Sequence, residues 1–370
     1  SWSRGLGDVY KRLTRTLESG AYRYQLLETI RHYAKEKLLE SGESDSTRES
    51  HYQYYYKLSE QAYKENTRKY EYWVNRLELE HENIIAALEW IRDDIEKRLQ
   101  LACVLGWFWY YENAYCILGL EYLKDAENCP EEAILTKARA LTNQAMLLFA
   151  SGDMEGLSKI DSCLELWDSL KNREDKVKSL FNYVILQAAM QDYKAAHDAA
   201  TEIEEIALEL DDKYLILQSK TAHLMVYISQ LQVDLAEPLA VQNLKDAVAL
   251  NDFLMKQFAL HFYSDCAIMR MDFKEAEKRY SVGMKNSLDY GNHFGAANES
   301  QGMVFALSGQ ARYTKALHLQ GALDAKYDEY GIITPQFKFW IDWVEEYVYG
   351  ARKDVGEEKS AQYEHEGSQI

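Results

Sequence analysis

Ten polar residues recur where a binding groove would need them: Arg139, Asn143, Lys178, Asn182, Gln218, Thr221, His261, Asp265, Asn298 and Gln301. Arg139, Lys178, Gln218 and Asn298 lie on one row at steps of about 40 residues, with Phe258 completing it. One turn later come Asn143 and Asn182, then Thr221, His261 and Gln301, with Asp265 deeper. The chemistry such a set offers is recognition by hydrogen bonds and charge. A polar side chain inside an otherwise apolar helix is costly unless it is paired or faces a wet groove. Each position is therefore either a satisfied structural residue or a contact for a partner, and their coaxial arrangement makes them candidate contacts.

Covalent chemistry finds no comparable footing. No HExxH, GxSxG, GxGxxG or EF-hand pattern occurs, and the nine histidines show no metal-ligand spacing. The acid pairs Asp93-Asp94 and Asp211-Asp212 fall at helix ends or turns, where solvated caps explain them. Five cysteines form no CxxC pair and are odd in number, so they read as buried free thiols. The aromatic run Trp107 to Tyr111 reads as a core helix before a ligand-stacking wall. The sequence predicts a protein that is not an enzyme and needs neither metal nor cofactor.

The elements that must position these residues emerge when 152–331 is written in rows of 40. Gly156, Ala196, Ala236, Ala276 and Ala316 form one column, and Tyr193, Val233, Phe273 and Tyr313 another three residues earlier. Leu170, Leu210, Leu250, Tyr290 and Tyr330 close the rows, each followed by turn formers such as Asp211-Asp212 or Gly291-Asn292. Self-similarity at this period means stacked helical hairpins. The small column marks where the second helix crosses the first too closely for a larger side chain. This is tetratricopeptide (TPR) logic with longer helices, and both columns read as core.

Three prolines and 47% hydrophobic residues fit long uninterrupted helices. The net charge of -18 disfavours a nucleic-acid or anionic-membrane surface, which needs clustered Lys and Arg. No signal peptide or run of 18 apolar residues occurs. A soluble, cytoplasmic protein is the expectation. Helix starts are expected at the capping-box pairs Ser46/Glu49 and Asn128/Glu131, and Thr334-Pro335 should cap a last helix through Trp340, Trp343 and Tyr347.

Four stretches carry a resemblance. Tyr24 to Ala34, Ser41-Gly42-Glu43 and Trp73 to Trp90 resemble the junction of bacterial STAND-class regulators, the AfsR/SARP-like and LuxR-like predicted ATPases; His318 to Gln369 is similar to the end of their sensor region. The resemblance implies an NB-ARC-type nucleotide switch, a winged helix and a TPR sensor in one parent protein. In that family a Met-His-Asp motif watches the nucleotide; Leu26, Leu27 and Glu28 stand at the matching positions, without the histidine. No GxxxxGK followed by Ser or Thr occurs, so the phosphate-binding loop is expected outside this chain.

The expectation is thus an all-α fold: an α-α superhelix of TPR-like hairpins with a winged-helix remnant at the amino end. Residues 1–42 should end the winged helix, 43–130 form a helical linker with degenerate hairpins, 131–352 the array with its capping helix, and 353–370 a flexible tail. The expected role is a non-catalytic sensor whose groove binds a protein, a peptide or a small effector and which acts on the nucleotide-switch domain of its parent. The alternative is an assembly module through which whole regulators oligomerise.

Overall fold

A computed structural model of the chain describes residues 14–16, 22–24, 28–66, 68–111, 115–153, 155–330 and 337–369. The chain divides into two compact units, Ser1–Tyr55 and Tyr56–Ile370. In the first, β1 (Thr14–Thr16) pairs antiparallel with β2 (Tyr22–Tyr24), and α1 (Glu28–Glu40) follows. Gly42, at φ +75, turns the chain into α2 (Ser44–Glu65), which crosses into the second unit. Helix α2 starts two residues before Ser46, whose hydroxyl donates to the Glu43 carbonyl at 3.0 Å instead of capping. Half of the expected winged-helix remnant, including Leu26 and Leu27, lies outside the described residues.

The second unit continues with α3 (Tyr70–Trp90), α4 (Ile95–Tyr111) and α5 (Cys116–Leu123). Two 3-10 turns then lead to α6 (Ile134–Ala150), so this helix begins three residues later than the Asn128/Glu131 pair suggests. The array proceeds through α7 (Gly156–Leu170), α8 (Arg173–Ala189), α9 (Tyr193–Glu209), α10 (Lys213–Ser229) and α11 (Val233–Leu250). It ends with α12 (Phe253–Met269), α13 (Phe273–Asp289), α14 (His293–Gly309) and α15 (Tyr313–Tyr330). Each helix packs on the next, and the even-numbered helices α4 to α14 also pack on one another as an inner layer. The fold is an all-α superhelix of TPR-like hairpins.

One backbone device repeats at nearly every turn. Gly152, Lys171, Gln191, Asp211, Leu231, Asn251, Met271, Gly291 and Ala311 all take positive φ, so the end of a helix is reversed by a single left-handed residue. The next residue then closes the old helix: Asp192 N donates to Gln187 O, Asp272 N to Ala267 O and Asn292 N to Ser287 O, each at 2.9 Å. The same residue opens the new helix, because Asp192, Asp272 and Asn292 accept with their side chains from the amides of Ala195, Glu275 and Gly295. One side chain thus fixes both ends of a turn.

The small column lies at the helix crossings. Ala196, Ala236, Ala276 and Ala316 are fully buried, and a Cβ on Gly156 would stand 2.5 Å from the Ala145 carbonyl oxygen. The Tyr193, Val233, Phe273 and Tyr313 column is only half-buried, since it sits at the first residue of each outer helix.

Beyond the array, α16 (Lys338–Trp343) runs through a π-helical turn (Val344–Tyr349) into α17 (Gly350–Val355). Thr334-Pro335 lies outside the described residues. In place of a flexible tail over 353–370, Glu357–Ser368 forms α18, packed against α15. The contact is made by glycines: a Cβ on Gly321 would lie 1.9 Å from Glu364 O, and one on Gly367 1.9 Å from His318 O. Backbone-to-backbone approach replaces the apolar side chains that this polar segment lacks.

Candidate functional site

The inner helices line a cavity of ≈110 Å³. Tyr110 from α4, Phe149 from α6, Ile185 from α8, Met225 from α10, Phe258 and Phe262 from α12 and Phe294 from α14 form its walls, and Phe337, Phe339 and Trp340 close it. Each inner helix contributes a side chain because the repeat brings equivalent positions to one face. The rings pack on one another across repeats, with Phe181 and Phe258 centroids 5.9 Å apart and Tyr110 and Phe294 5.8 Å apart. In the run Trp107 to Tyr111, Phe108 and Trp109 are fully buried, whereas Tyr110 is part of the cavity wall. The polar groups on the lining are Ser229, His261 and Asn298.

His261 sits over a buried acidic pair. Its Nε2 lies 3.6 Å from Asp265 Oδ2 and its Nδ1 3.4 Å from Glu299 Oε1, both carboxylates being fully buried. The ring stands 5.2 Å from Trp340, centroid to centroid. Tyr280 donates to Asp265 at 2.6 Å and Gln257 to Glu299 at 2.8 Å, while Asn286 donates to Gln257 at 2.9 Å. Burial works against the charged ring, but the two carboxylates outweigh it and push His261 up to about 9. Burial also raises both carboxyls, against the pull of His261.

A second polar cluster lies at the amino ends of the inner helices. The Arg139 guanidinium donates from Nε and Nη2 to Asp175 Oδ2 at 2.9 and 2.7 Å, and Lys178 reaches Asp175 Oδ1 at 3.1 Å. Burial works against the Asp175 carboxylate, but Lys178 and Arg139 hold its carboxyl below the usual range. Tyr63 completes this cluster, donating its hydroxyl to Asp175 Oδ1 at 3.1 Å.

The ten residues singled out by the sequence divide by burial. Arg139, Asn143, Lys178, Asn182, Gln218, His261 and Asn298 are half-buried on the inner helices, and His261 and Asn298 reach the cavity. Thr221, Asp265 and Gln301 are buried instead. Thr221 donates to Leu217 O and accepts from Asn243, and Gln301 donates to Gln320, so these two tie inner helices to outer ones. Asn143 donates to Cys103 O and Arg139 O, pinning α6 to α4. Those roles are structural. Asp175, Glu299, Tyr63 and Trp340 belong to the clusters but escape sequence reasoning. Asp175 and Glu299 resemble ordinary helix acids, and Tyr63 lies 112 residues from its partner.

The five cysteines are buried and unbonded to one another, and burial pushes Cys103, Cys116 and Cys266 up to about 12. Among the described residues, no His, Cys, Asp and Glu cluster is arranged to hold a metal ion, and no helix is long and apolar enough to cross a membrane.

The fold places the chain among TPR-like helical-repeat proteins. A solved Rap protein complexed with competence and sporulation factor matches it with a TM-score of 0.54 at 12% identity, over 87% of this chain and 94% of that one. The apo form of RapI matches with a TM-score of 0.45 at 11% identity, over 87% of this chain and 96% of that one. No protein-family model matches the chain. Over 135 residues, 35% of the chain, it is 36% identical to proteins of Mycobacterium bovis and Mycobacterium tuberculosis that carry the name HTH-type transcriptional regulator. The matched chain covers 15% of the length of these relatives.

Proposed function

We propose that the second unit is a recognition module whose inner groove takes a peptide or a segment of a partner protein. The cavity carries this reading. Protein interiors are packed with few voids larger than a water molecule, yet aromatic side chains from several repeats here enclose open space. A cavity of roughly 150 Å³ holds benzene, so ≈110 Å³ suits one apolar side chain and is small beside a cofactor pocket of about 300 Å³ or more. Asn298 is part of its lining, and Arg139, Lys178, Asn182 and Gln218 stand half-buried on the same inner helices as the further polar contacts of this reading. That a Rap protein of similar fold was solved with competence and sporulation factor supports a ligand-holding role.

In a longer regulator, occupancy of the groove would bias a neighbouring nucleotide switch through the difference in the partner's affinity for its two states. The STAND-like stretches and the identity to proteins named as transcriptional regulators support that setting. Panning a random-peptide phage library on the purified chain tests the groove. Enriched peptides should share an apolar or aromatic position and lose affinity about tenfold or more on Phe258→Ala. Enrichment of nothing, or of peptides indifferent to both Phe258→Ala and Asn298→Ala, would sink the reading.

One observation favours assembly as a second reading. Leu208, Val248 and Leu288 occupy the same place on three successive outer helices and are 61%, 59% and 57% exposed. If copies meet there, light scattering should report a dimer or larger that Val248→Gln dissociates; a monomer at all concentrations rejects it.

A further inference from the structure

Of the three polar groups on the cavity lining, one is engaged by the protein and two keep hydrogen-bonding capacity in reserve. The Ser229 hydroxyl donates to the Met225 carbonyl at 2.8 Å. The Asn298 carboxamide has no hydrogen-bond partner among the described residues, although it carries two donors and an acceptor. His261 holds an unused donor: its Nε2 lies 3.6 Å from Asp265 Oδ2, beyond hydrogen-bond length, and the ring is protonated, so both nitrogens carry hydrogen. The two residues stand on the inner helices α12 and α14, which pack on one another. Asn298 directly precedes Glu299, whose carboxylate is 3.4 Å from His261 Nδ1.

The rest of the lining limits what these two groups can meet. Phe149, Phe258, Phe262, Phe294 and Trp340 present rings, against which another ring packs in an offset or edge-on arrangement. Charged tips are disfavoured: an ammonium would face the His261 imidazolium, and a carboxylate would face Asp265 and Glu299 behind it. A phenylalanine or leucine side chain leaves Asn298 and His261 unpaired, and an indole donates but accepts nothing. A phenol hydroxyl accepts from His261 and donates to the Asn298 carbonyl oxygen. Tyr110, Phe258, Phe294, Phe337 and Asn298 are only half-buried, which leaves the cavity a way in from the groove.

We propose that the cavity is a specificity pocket for a tyrosine side chain of the partner, its ring against the aromatic wall and its hydroxyl shared by Asn298 and His261. The proposal rests on the groove reading and deepens it by naming the side chain that fills the cavity. A site built to hydrogen-bond a hydroxyl discriminates against the analogue that lacks it, because its own polar groups are then left unpaired.

Calorimetric titration of the full chain with p-cresol and with toluene, the side-chain analogues of tyrosine and phenylalanine, tests this. Water solvates p-cresol better than toluene, so a purely apolar cavity favours toluene. The polar pair should reverse that order, with p-cresol bound at least about tenfold more tightly. In Asn298→Leu and in Asn298→Ala the two compounds should bind within about twofold of each other, whereas Ser229→Ala should keep the wild-type preference. Toluene bound as tightly as p-cresol, or more tightly, by the wild-type chain would overturn the proposal and leave the cavity reading standing. A p-cresol preference that survives both Asn298 substitutions would overturn it as well. Binding of neither compound by a chain that keeps its helicity would overturn the cavity reading itself, and the tyrosine pocket with it.

Discussion

At the scale of single residues, the His261 cluster is where charge is most confined. A histidine held protonated up to about 9, against about 6.5 for an exposed imidazole, contributes its ion pairs in full below about pH 6.5. That contribution is lost as pH rises through 9. The raised carboxyls of Asp265 and Glu299 act in the same direction, because the folded chain binds their protons more tightly than the unfolded one. Thermal unfolding should therefore show the midpoint falling between pH 6.5 and 9. His261→Gln leaves two buried carboxylates without a cation and should cost about 3–5 kcal/mol near neutral pH, with a flatter midpoint over that window. Identical pH profiles for the variant and the wild type would contradict the assignment. His261 and Asp265 stand one helical turn apart and can be paired from sequence, but Glu299 comes from the next inner helix and looks like any acid of an acidic chain. The same limit applies to Thr221 and Gln301: a polar residue in an apolar helix shows that a partner exists, and only the packing shows that the partner is protein.

The helical hairpin, as an element, was legible because its constraints are steric and periodic. Only small residues fit the crossings, so the column holds Gly or Ala in every repeat, and Asp or Asn marked most turns. The left-handed residue before each cap was legible only in part. Gly152, Asn251 and Gly291 suit positive φ, but Leu231 and Met271 carry no turn signature; the bonds from Gln232 N to Tyr227 O and from Asp272 N to Ala267 O close the helices around them. A left-handed conformation costs such residues about 1–2 kcal/mol. Met271 is 68% exposed and gives up little burial on truncation. Met271→Gly should therefore raise the unfolding free energy from denaturant melts, by about 0.5–1 kcal/mol once glycine's greater unfolded-state entropy is counted. Asp272→Ala, one residue on, should lower it by about 1 kcal/mol through loss of the cap. A fall on both substitutions would mean that the Met271 side chain stabilises the turn after all. The carboxy-terminal helix was missed for a related reason: Gly321 and Gly367 join it to α15 through close backbone approach, which leaves no apolar stripe to read.

For the array as a whole, the repeat places equivalent positions side by side, and the result is a continuous inner wall with an aromatic cavity and a charged cluster behind it. The direction of that wall followed from the period alone. Its contents did not, because Tyr63, Tyr110 and Trp340 are brought to it from segments outside the regular rows. The account stands on the claim that this wall is where a partner docks. Hydrogen–deuterium exchange of the chain with and without a peptide selected by panning tests it most directly. The account predicts added protection in α8, α10, α12 and α14 and in residues 337–343, with the outer helices α9, α11 and α13 unchanged. Protection confined to the outer helices would contradict it.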